Sequence, residues 1–343
     1  MTPRISIIII NWNGWQDTVE CLESLYRISS PPYDVILLDN GSKDNSLARI
    51  KDYLAGHMIV QSDFFEYTDK NKPIKILEYT NSEAEAGGGR EKEIADLPSN
   101  RKIVLIRNDK NYGFAEGNNI GIRYALKAQN PDYILLLNND TVVKSDFLNE
   151  LVKALQSDET AGFAGPSIYY YNYKGKTDIF STVGINLVME KGWFVRIGSI
   201  EPDRGQYKAV MAVDFLEGSC LLIRRAALDK IGLLDSRYFA YWEETDLCIR
   251  GRESGYKCIC VPTAKIWHKV SSSAPKGVKL YYMTRNRLWF VKDHATRQEL
   301  RSFLAYFFMR QFWIILRDYV YQRDTGSILI FLKGVLQGVL PKG

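Results

Sequence analysis

Short apolar runs alternate with amphipathic segments along the first half of the chain. The β-branched run 5–10 predicts a strand buried on both faces, and the apolar positions of 18–26 recur at helical spacing. Repeated alternation of strands and helices is typical of βαβ units on a parallel sheet. The pattern therefore predicts an α/β protein with a mostly parallel central sheet flanked by helices. Further strands are predicted at 34–38, 102–107, 133–137, 221–223 and 257–261. Further helices are predicted at 44–54, 146–156, 226–231 and 245–254, and another follows residues 111–119 and ends at about 128.

Two stretches interrupt this rhythm. Residues 56–100 are polar and partly acidic around one apolar run, 74–79, so we expect a surface insertion, a hairpin with a mobile tip. Residues 162–213 are rich in Gly, Tyr and Trp, which predicts short strands and loops. We place one α/β domain at 1–290, with the insertion inside it, and a helical region at 291–343.

The C-terminal part of the chain carries long apolar segments. Segments 303–316 and 328–340 each contain only two clearly polar side chains. No window of about 18 residues lacks a charge, which argues against a transmembrane helix. Two interpretations stay open: a helical pair that packs on the body, or interfacial helices that lie in a membrane surface with basic residues toward anionic headgroups. We favour the second.

Charge is distributed unevenly along the chain. The 343 residues carry a formal net charge of +5, too small an excess to indicate nucleic-acid binding, and 46% of them are hydrophobic, enough for a large core. Residues 265–343 contain 14 Lys and Arg against 4 Asp and Glu, a net of +10, so residues 1–264 sum to −5. An acidic body is thus joined to a basic, aromatic C-terminal part, which favours a membrane surface as its partner.

Cysteine usage and the N-terminus bear on the compartment. Five cysteines, an odd number, do not indicate a disulfide framework. The apolar run that follows Arg4 is too short for a signal peptide or a membrane span. We therefore expect a cytoplasmic protein, peripheral on the inner face of the cell membrane.

Carboxylates follow two of the predicted strands. Asp39 comes after 34–38 and Asp140 after 133–137, so both belong at the carboxyl edge of the sheet, where they would converge on one cleft. Asp39 can accept hydrogen bonds from a nucleobase or a ribose, and Asp140 suits a hard divalent cation that also binds substrate phosphates. The alternative is that both only cap turns and helix N-termini.

A second group of titratable residues follows toward the C-terminal end of the α/β region. Glu243, Glu244 and Asp246 repel one another, so at least one can have a raised pKa suited to proton abstraction. Alternatively, they only favour the positive N-terminus of the following helix. His268 ends a strand at the same edge and, with Asp140, would complete a mixed oxygen and nitrogen site for Mn²⁺ or Mg²⁺, although a lone His is more often structural.

Seven short motifs occur in one order along the chain. They are IIIINWN (7–13), DNGSKD (39–44), NYGF (111–114), LNNDT (137–141), EGSC (217–220), WEETDLC (242–248) and WH (267–268). Each is weak alone, but their order resembles family 2 glycosyltransferases, closest to the rhamnosyltransferase and galactofuranosyltransferase-like branch, over about residues 4–290. The resemblance implies a GT-A fold with a C-terminal helical appendage, and sugar transfer from a nucleotide-sugar donor with inversion at the anomeric carbon.

The resemblance implies roles for the donor-side positions. Asp39 would bind the base or the ribose, with Asn11 and Asn13 lining the same pocket. Gly113 would let the chain approach the nucleotide closely, because glycine has no Cβ.

The resemblance also places a metal site. Asn138, Asn139 and Asp140 occupy the position of the family's Asp-x-Asp motif, with Asn138 in place of the first Asp, which leaves one charged ligand instead of two. His268 matches a metal-coordinating histidine of the galactofuranosyl relatives. Asp140 and His268 are therefore the expected ligands of Mn²⁺ or Mg²⁺, which would neutralise the leaving nucleoside diphosphate.

The catalytic base is expected in the pair 243–244. Relatives have Glu-Asp or Asp-Asp there and use the second member, which makes Glu244 the expected base; Glu243 or Asp246 could take the role if the geometry differs. Three residues stand where a sugar or the acceptor would be contacted: Glu217, Gly218 and Trp242. For Trp242 a place in the core is the alternative.

The expected function is metal-dependent transfer from a UDP- or dTDP-sugar to a hydroxyl of a glycan or polyprenyl-phosphate-linked acceptor, in the synthesis of surface polysaccharide or glycoprotein glycans. We expect an anionic membrane surface as a partner, no nucleic acid, and also consider a homo-oligomer. Arg285 and Arg287 could pair with diphosphate or a lipid phosphate, or lie on an exposed basic helix. The alternatives are a catalytically degenerate binding or scaffold protein, favoured only by Asn138, and a sugar-phosphate nucleotidyltransferase, which should carry a Gly-rich basic loop after the first strand.

Overall fold

A mixed eleven-stranded sheet runs through the part of the chain that the computed structural model describes, residues 2–270 and 276–340. The strands, in chain order, are β1 (Ile5–Asn11), β2 (Tyr33–Asp39), β3 (Lys75–Thr80), β4 (Lys102–Arg107), β5 (Tyr133–Asn138), β6 (Thr141–Val143), β7 (Ala161–Tyr170), β8 (Phe180–Thr182), β9 (Ile185–Val188), β10 (Trp193–Arg196), β11 (Met211–Val213), β12 (Cys220–Arg224) and β13 (Lys257–His268). Strands β9 and β10 form a separate hairpin. The main order is β11, β13, β7, β12, β5, β1, β2, β4, β3, with β6 paired to β13 and β8 to β7.

The neighbouring strands β3, β4, β2, β1 and β5 are all parallel, as the alternating pattern predicts. Their registers align the strand ends, because Asn11 lies beside Asp39 and Ile10 beside Asn138. Beyond β5, strand β12 is antiparallel to both of its neighbours and β13 is parallel to β7. Polar residues that follow β1, β2 and β5 are thereby collected at one edge of the sheet.

Helices cover both faces of the sheet. The helices of the described residues are α1 (Trp15–Leu25), α2 (Ser46–Ala55), α3 (Asn81–Ala86), α4 (Gly113–Tyr124), α5 (Phe147–Ser157), α6 (Arg225–Ile231), α7 (Glu243–Glu253), α8 (Lys276–His294), α9 (Arg297–Tyr306), α10 (Phe312–Tyr321) and α11 (Thr325–Val339). Ile7 and Ile9 of β1 belong to one hydrophobic cluster, with α1, α2 and α5, whereas Ile8 belongs to another, with α4, α6 and α7. The predicted α/β class with a mostly parallel sheet is confirmed.

The segment 56–100 differs from the expected hairpin. Strand β3 pairs in parallel with β4 at the edge of the main sheet, and a capping box of Thr80 and Glu83 starts α3 directly after it. Leu77 and Tyr79 of β3 are buried in the cluster that includes α4. Two apolar side chains with period-2 spacing are hidden by joining the sheet, which a free hairpin could not do.

Two strands are longer than the local pattern predicts. Where short strands were expected after residue 162, β7 is ten residues long and begins at Ala161, and β13 runs twelve residues where only 257–261 was expected. The register of β13 against β7 shifts between Val261 and Lys265, so a bulge interrupts the apolar pattern there without ending the strand. The extension carries His268 to a position opposite Thr141.

The C-terminal helices pack on the α/β body through a third, aromatic cluster. Phe290 of α8 and Phe331 of α11 are fully buried in it, together with Trp242 of the body. The boundary expected at residue 290 falls inside α8, which contacts both the body and α11. Within the described ranges, no helix combines the length and the apolar character that a bilayer span requires.

Candidate active site

The ends of β1 and β2 form a polar network at the sheet edge. The side-chain amide of Asn11 donates to Asp39 Oδ1 (2.9 Å) and to Ser42 Oγ (3.1 Å), and Ser42 Oγ donates to Asp39 Oδ1 (2.5 Å). Next to it lies a cleft of about 610 Å³, whose lining includes Asp39, Ser42, Thr80, Arg107, Asn108 and Tyr112. Hydroxyl, amide and carboxylate groups around such a cleft suit a ligand rich in N–H and O–H groups.

Two loops beside this cleft are held by unusual backbone conformations. Asn13 has a positive φ of 52°, and its Oδ1 accepts hydrogen bonds from the backbone of Lys43 (2.8 Å) and Asp44 (3.3 Å). Gly113 has a φ of +81°, and an added Cβ would lie 2.6 Å from the carbonyl oxygen of Phe239. Only glycine fits there, because any side chain would clash with backbone.

The last residue of β5 and the two residues after it have different surroundings. Asn138 Oδ1 is buried without a hydrogen-bond partner in the described part of the chain, while its backbone N–H donates to Ser219. Asn139 Nδ2 donates to Thr18 Oγ1 (2.9 Å) and to the carbonyl of Gly14 (3.3 Å), so this side chain is committed to the start of α1. Asp140 lies next to His268, since Thr141 and His268 are opposite each other in the sheet.

A chain of charged side chains extends from Asp140 across the edge. His268 Nε2 lies 3.1 Å from Asp140 Oδ1, and His268 Nδ1 lies 3.1 Å from Glu217 Oε1. The other oxygen of Glu217 pairs with Arg196 of β10. Burial alone would lower the pKa of His268, but the two carboxylates outweigh it and raise it to about 10. Burial would raise the pKa of Glu217, yet His268 and Arg196 bring it down to about 2.

Glu243 and Glu244 begin α7 beside this chain. An added Cβ on Gly218 would lie 3.4 Å from Glu244, so the loop 217–218 runs directly along that side chain. Burial raises the pKa of Glu244 to about 7, with a further contribution from Glu217. Burial also raises the pKa of Glu243 well above its ordinary value, with Glu244 as the next cause. One oxygen of each glutamate is buried with no hydrogen-bond partner among the described residues. Glu244 is thus poised to exchange a proton near neutral pH.

Two expected site residues lie elsewhere. The carboxylate of Asp246 accepts a hydrogen bond from Arg250 Nε (2.8 Å) and lies 2.9 Å from His294 Nε2. These partners differ from the loop 217–218 that lies beside Glu244. Trp242 is buried against Phe290, with ring centroids 4.9 Å apart. The structure therefore places Trp242 in the core, the alternative stated above, and does not bring Asp246 into the cluster with Asp140, Glu217 and His268.

Other residues of the site carried little signal in the sequence. Ser42 follows Asp39 in the turn 40–42 and completes the network with Asn11. Arg196 lies on the short hairpin of β9 and β10, far from any motif, and reaches the site only through the fold.

The side chains around Asp140 supply some of the ligands that a divalent cation needs. A metal-bound histidine commonly donates its second ring N–H to a carboxylate, which is the relation of His268 Nδ1 to Glu217, and this leaves Nε2 beside Asp140 for a shared cation. Across residues 2–270 and 276–340, however, no three His, Cys, Asp or Glu side chains are placed to hold a metal ion. Two protein ligands plus donor phosphates are what this geometry can supply.

Comparison with known proteins identifies the family. A family model described as "Glycosyltransferase like family 2" matches residues 91–290, and "Glycosyl transferase family 2" matches residues 6–72. The chain belongs to glycosyltransferase family 2. This confirms the resemblance drawn from the seven motifs.

Two curated relatives are a hexosyltransferase and a rhamnosyltransferase. The low-salt glycan biosynthesis hexosyltransferase Agl10 of Haloferax volcanii is 31% identical over 160 residues, 47% of this chain and 50% of that protein. The rhamnosyltransferase WbbL of Escherichia coli K12 is 28% identical over 202 residues, 57% of this chain and 70% of that protein. The match thus spans only half the length of the first relative.

A solved structure shows the same fold. The mannosyltransferase PcManGT of Pyrobaculum calidifontis, in complex with GDP-Man and Mn²⁺, superposes with a TM-score of 0.55 at 13% identity, covering 100% of this chain and 89% of that one. The GT-A fold expected for a family 2 member is confirmed.

Proposed function

We propose that this protein is an inverting glycosyltransferase that moves a sugar from a nucleotide-sugar donor, a UDP- or dTDP-sugar, to a hydroxyl of a glycan or lipid-linked acceptor in glycan or polysaccharide synthesis. The observation that carries the proposal is Glu244, a partly buried carboxylate with a pKa of about 7, next to the chain of Glu217, His268 and Asp140. The names of the family 2 relatives support it.

The donor would lie along the edge from β2 to β5. Asp39, oriented by Asn11 and Ser42, is placed to accept hydrogen bonds from the base or the ribose. Gly113 allows the backbone between β4 and α4 to come close to the nucleotide. From there the diphosphate would reach Asp140 and His268.

A divalent cation, Mn²⁺ or Mg²⁺, would be held by Asp140 and by His268 Nε2, and when bound it neutralises charge on the departing diphosphate. Glu217 would keep the His268 ring in place through Nδ1. Arg196, paired with Glu217, adds a fixed positive charge beside the same phosphates.

Glu244 would act as the general base. The acceptor oxygen attacks the anomeric carbon from the face opposite the diphosphate, and its proton passes to the Glu244 carboxylate. The bond between the anomeric carbon and the diphosphate oxygen breaks, and the nucleoside diphosphate leaves with the electron pair. Inversion follows from this single in-line displacement.

The deciding experiment is a donor screen in two stages. Thermal shifts of the full chain with UDP-, dTDP- and GDP-sugars plus Mn²⁺ identify the donor, and transfer of the radiolabelled sugar to a polyprenyl-diphosphate-linked glycan then tests the activity. We expect a UDP- or dTDP-sugar to raise the melting temperature and to be used for transfer. Donor binding without transfer or hydrolysis, in wild type as in Glu244→Gln, would favour a degenerate binding protein instead.

We further propose that the C-terminal helices bind an anionic membrane surface from the cytoplasmic side. Along α11 the exposed apolar residues recur at helical spacing, while Phe331 and Val335 on the opposite stripe are buried; the exposed residues are Leu329, Leu332, Leu336, Val339 and Leu340. Segment 276–340 holds 11 Lys and Arg against 4 Asp and Glu. An apolar stripe within a basic segment is complementary to anionic lipid, and such a surface presents a polyprenyl-linked acceptor.

Vesicle binding tests this surface with matched variants. Serine at Leu329, Leu336 and Val339, which are 69%, 59% and 46% exposed, should reduce sedimentation with phosphatidylglycerol vesicles at least about tenfold. Serine at Ile59, Ile200 and Val210, exposed to 75%, 55% and 51% on the body, removes comparable apolar surface and should change nothing. Equal binding by both sets of variants would contradict the proposal.

A further inference from the structure

The loop that leads into the catalytic pair is strained. Phe239, Tyr241 and Trp242 have φ angles of 66°, 69° and 77°, in the region that favours glycine, and Glu243 follows at once. The backbone of Ala240 donates to the carbonyl of Tyr238 across Phe239, which is the strained form of the γ-turn. Backbone of this kind persists only where its surroundings hold it.

One buried side chain of α8 holds this loop. Asn286 is 0% exposed, and the two N–H groups of its side-chain amide are shared among the carbonyls of Tyr238 (2.9 Å), Ala240 (2.9 Å) and Tyr241 (2.8 Å). Arg285 Nε donates to Asn286 Oδ1 (2.8 Å), which fixes the amide with its N–H groups toward the loop. Three carbonyls, spread over four residues, are thus gathered at a single nitrogen.

Arg285 contributes to the same clamp. Its Nη2 donates to the carbonyls of Arg237 (2.9 Å) and Tyr238 (3.0 Å), and its guanidinium lies 4.1 Å from the ring centroid of Trp289. Arg285 and Arg287 are both buried, so neither lies on an exposed basic helix as one interpretation of the sequence had it. The role of Arg285 visible in the structure is to bind backbone.

The other side of the loop is tied to the donor pocket. The carbonyl of Phe239 accepts hydrogen bonds from the backbone of Phe114 (2.6 Å) and Ala115 (3.1 Å), at the start of α4 directly after Gly113. The Phe239 ring also stacks on Tyr282 of α8, with centroids 5.0 Å apart. One short loop therefore joins the donor side, α8 and the catalytic glutamates.

We propose that Asn286 is a positioning residue for sugar transfer: by holding the strained loop 238–242 it sets the direction in which Glu244 enters the cleft. The inference rests on the proposed function of Glu244. Asn286 itself touches neither donor nor acceptor in this arrangement, and it acts only through the loop. Because the donor-side bonds of Phe239 come from backbone N–H groups of α4, removing the Asn286 amide leaves them in place.

The test compares Asn286→Ala with Asn119→Ala. Asn119 is a matched control, since it is also buried (3% exposed) and clamps a loop, bonding to both the carbonyl (2.8 Å) and the N–H (3.1 Å) of Leu234. We expect Asn286→Ala to lower kcat by roughly 30- to 100-fold while the donor KM changes less than about threefold, because a small displacement of a catalytic group is enough for such a loss. Asn119→Ala should lower the melting temperature similarly and keep kcat within about threefold.

Hydrogen exchange gives a second readout that needs no activity. Peptides covering 239–246 should exchange faster in Asn286→Ala than in Asn119→Ala. If Asn286→Ala does not fold, Asn286→Ser, which keeps one donor, should show an intermediate kcat and intermediate exchange. Equal kcat for the two alanine variants, or unchanged exchange of 239–246, would overturn the proposal. A wild-type protein that transfers no sugar from any donor would instead refute the proposed function, while the exchange comparison still tests the clamp.

Discussion

Replacing Glu244 by Gln should remove most of the transferase activity. Gln keeps the shape of the side chain but cannot take a proton, and a positioned general base contributes roughly 10²- to 10⁴-fold to a rate. We therefore expect kcat to fall at least about 100-fold in Glu244→Gln, with donor affinity retained because the donor contacts proposed above, at Asp39 and Gly113, are unchanged.

The pH dependence follows from the environment of Glu244. Its pKa rises from 4.5 to about 7, mainly through burial, with Glu217 raising it and Arg196 lowering it. At about 1.4 kcal/mol per pKa unit, this corresponds to about 3 kcal/mol of preference for the neutral form. The base works only when ionised, so kcat/KM should rise with pH, reach half its plateau near pH 7, and fall to about one hundredth of the plateau at pH 5.

The assay is the initial rate of sugar transfer between pH 5 and 9 for wild type, Glu244→Gln and Glu243→Gln. Burial and the neighbouring Glu244 raise the pKa of Glu243 well above its usual value, which favours its neutral form, and Gln mimics that neutral form. We expect Glu243→Gln to lose at least about tenfold less activity than Glu244→Gln and to keep a midpoint near pH 7. A wild-type profile that is flat between pH 6 and 8, or the larger loss in Glu243→Gln, would refute the assignment of the base.

Three further predictions concern the donor loop, the core and the cation. Gly113→Ala forces a Cβ against the Phe239 carbonyl at a φ of +81°, so we expect roughly 1–3 kcal/mol of lost stability and at least about tenfold weaker donor binding by calorimetry; unchanged donor affinity would contradict the role of this glycine. Lys72→Met removes the 3.2 Å cationic partner of the buried Glu23 carboxylate, which keeps Tyr53 (2.9 Å) and Arg27 (3.4 Å), so we expect a loss of roughly 1–3 kcal/mol in urea unfolding, whereas a loss below about 0.5 kcal/mol would show that the pair is not needed. Chelation should abolish transfer, Mn²⁺ or Mg²⁺ should restore it, and His268→Ala should raise the cation concentration needed by at least about tenfold; activity that survives chelator would exclude the proposed metal role.

Much of the fold could be predicted because short-range patterns of apolar and polar residues indicate its strands and helices. The run Ile5–Asn11 and the strand ending at Asp39 were expected within a residue or two, since continuous apolar runs and the polar turns after them are short-range signals. Strand β3 was recognised as a strand but misplaced in a hairpin, because its partner β4 lies about 25 residues away and pairing over that distance leaves no local mark.

In the candidate site, too, local sequence signals indicate some residues and only the fold brings in the others. Asp39, Asp140, Glu244 and His268 could be singled out because carboxylates and histidines at strand ends have few purely structural uses in combination. Trp242 was ambiguous between sugar contact and core, and the structure places it in the core because α8 and α11 cover it. Nothing in the sequence around residue 196 indicates an active-site arginine.

The sequence by itself determined the elements, the sheet edge at which ligands bind, and the types of residue that meet there, because strand ends of parallel βαβ units share one edge whatever the details of packing. Tertiary structure decided the rest. Only the folded chain brings Glu217 between His268 and Arg196, turns Asp246 toward His294, and sets Asn286 of a C-terminal helix against the loop that leads to Glu244. These relations join residues far apart in the chain, and burial, not residue type, raises the pKa of Glu244 to about 7.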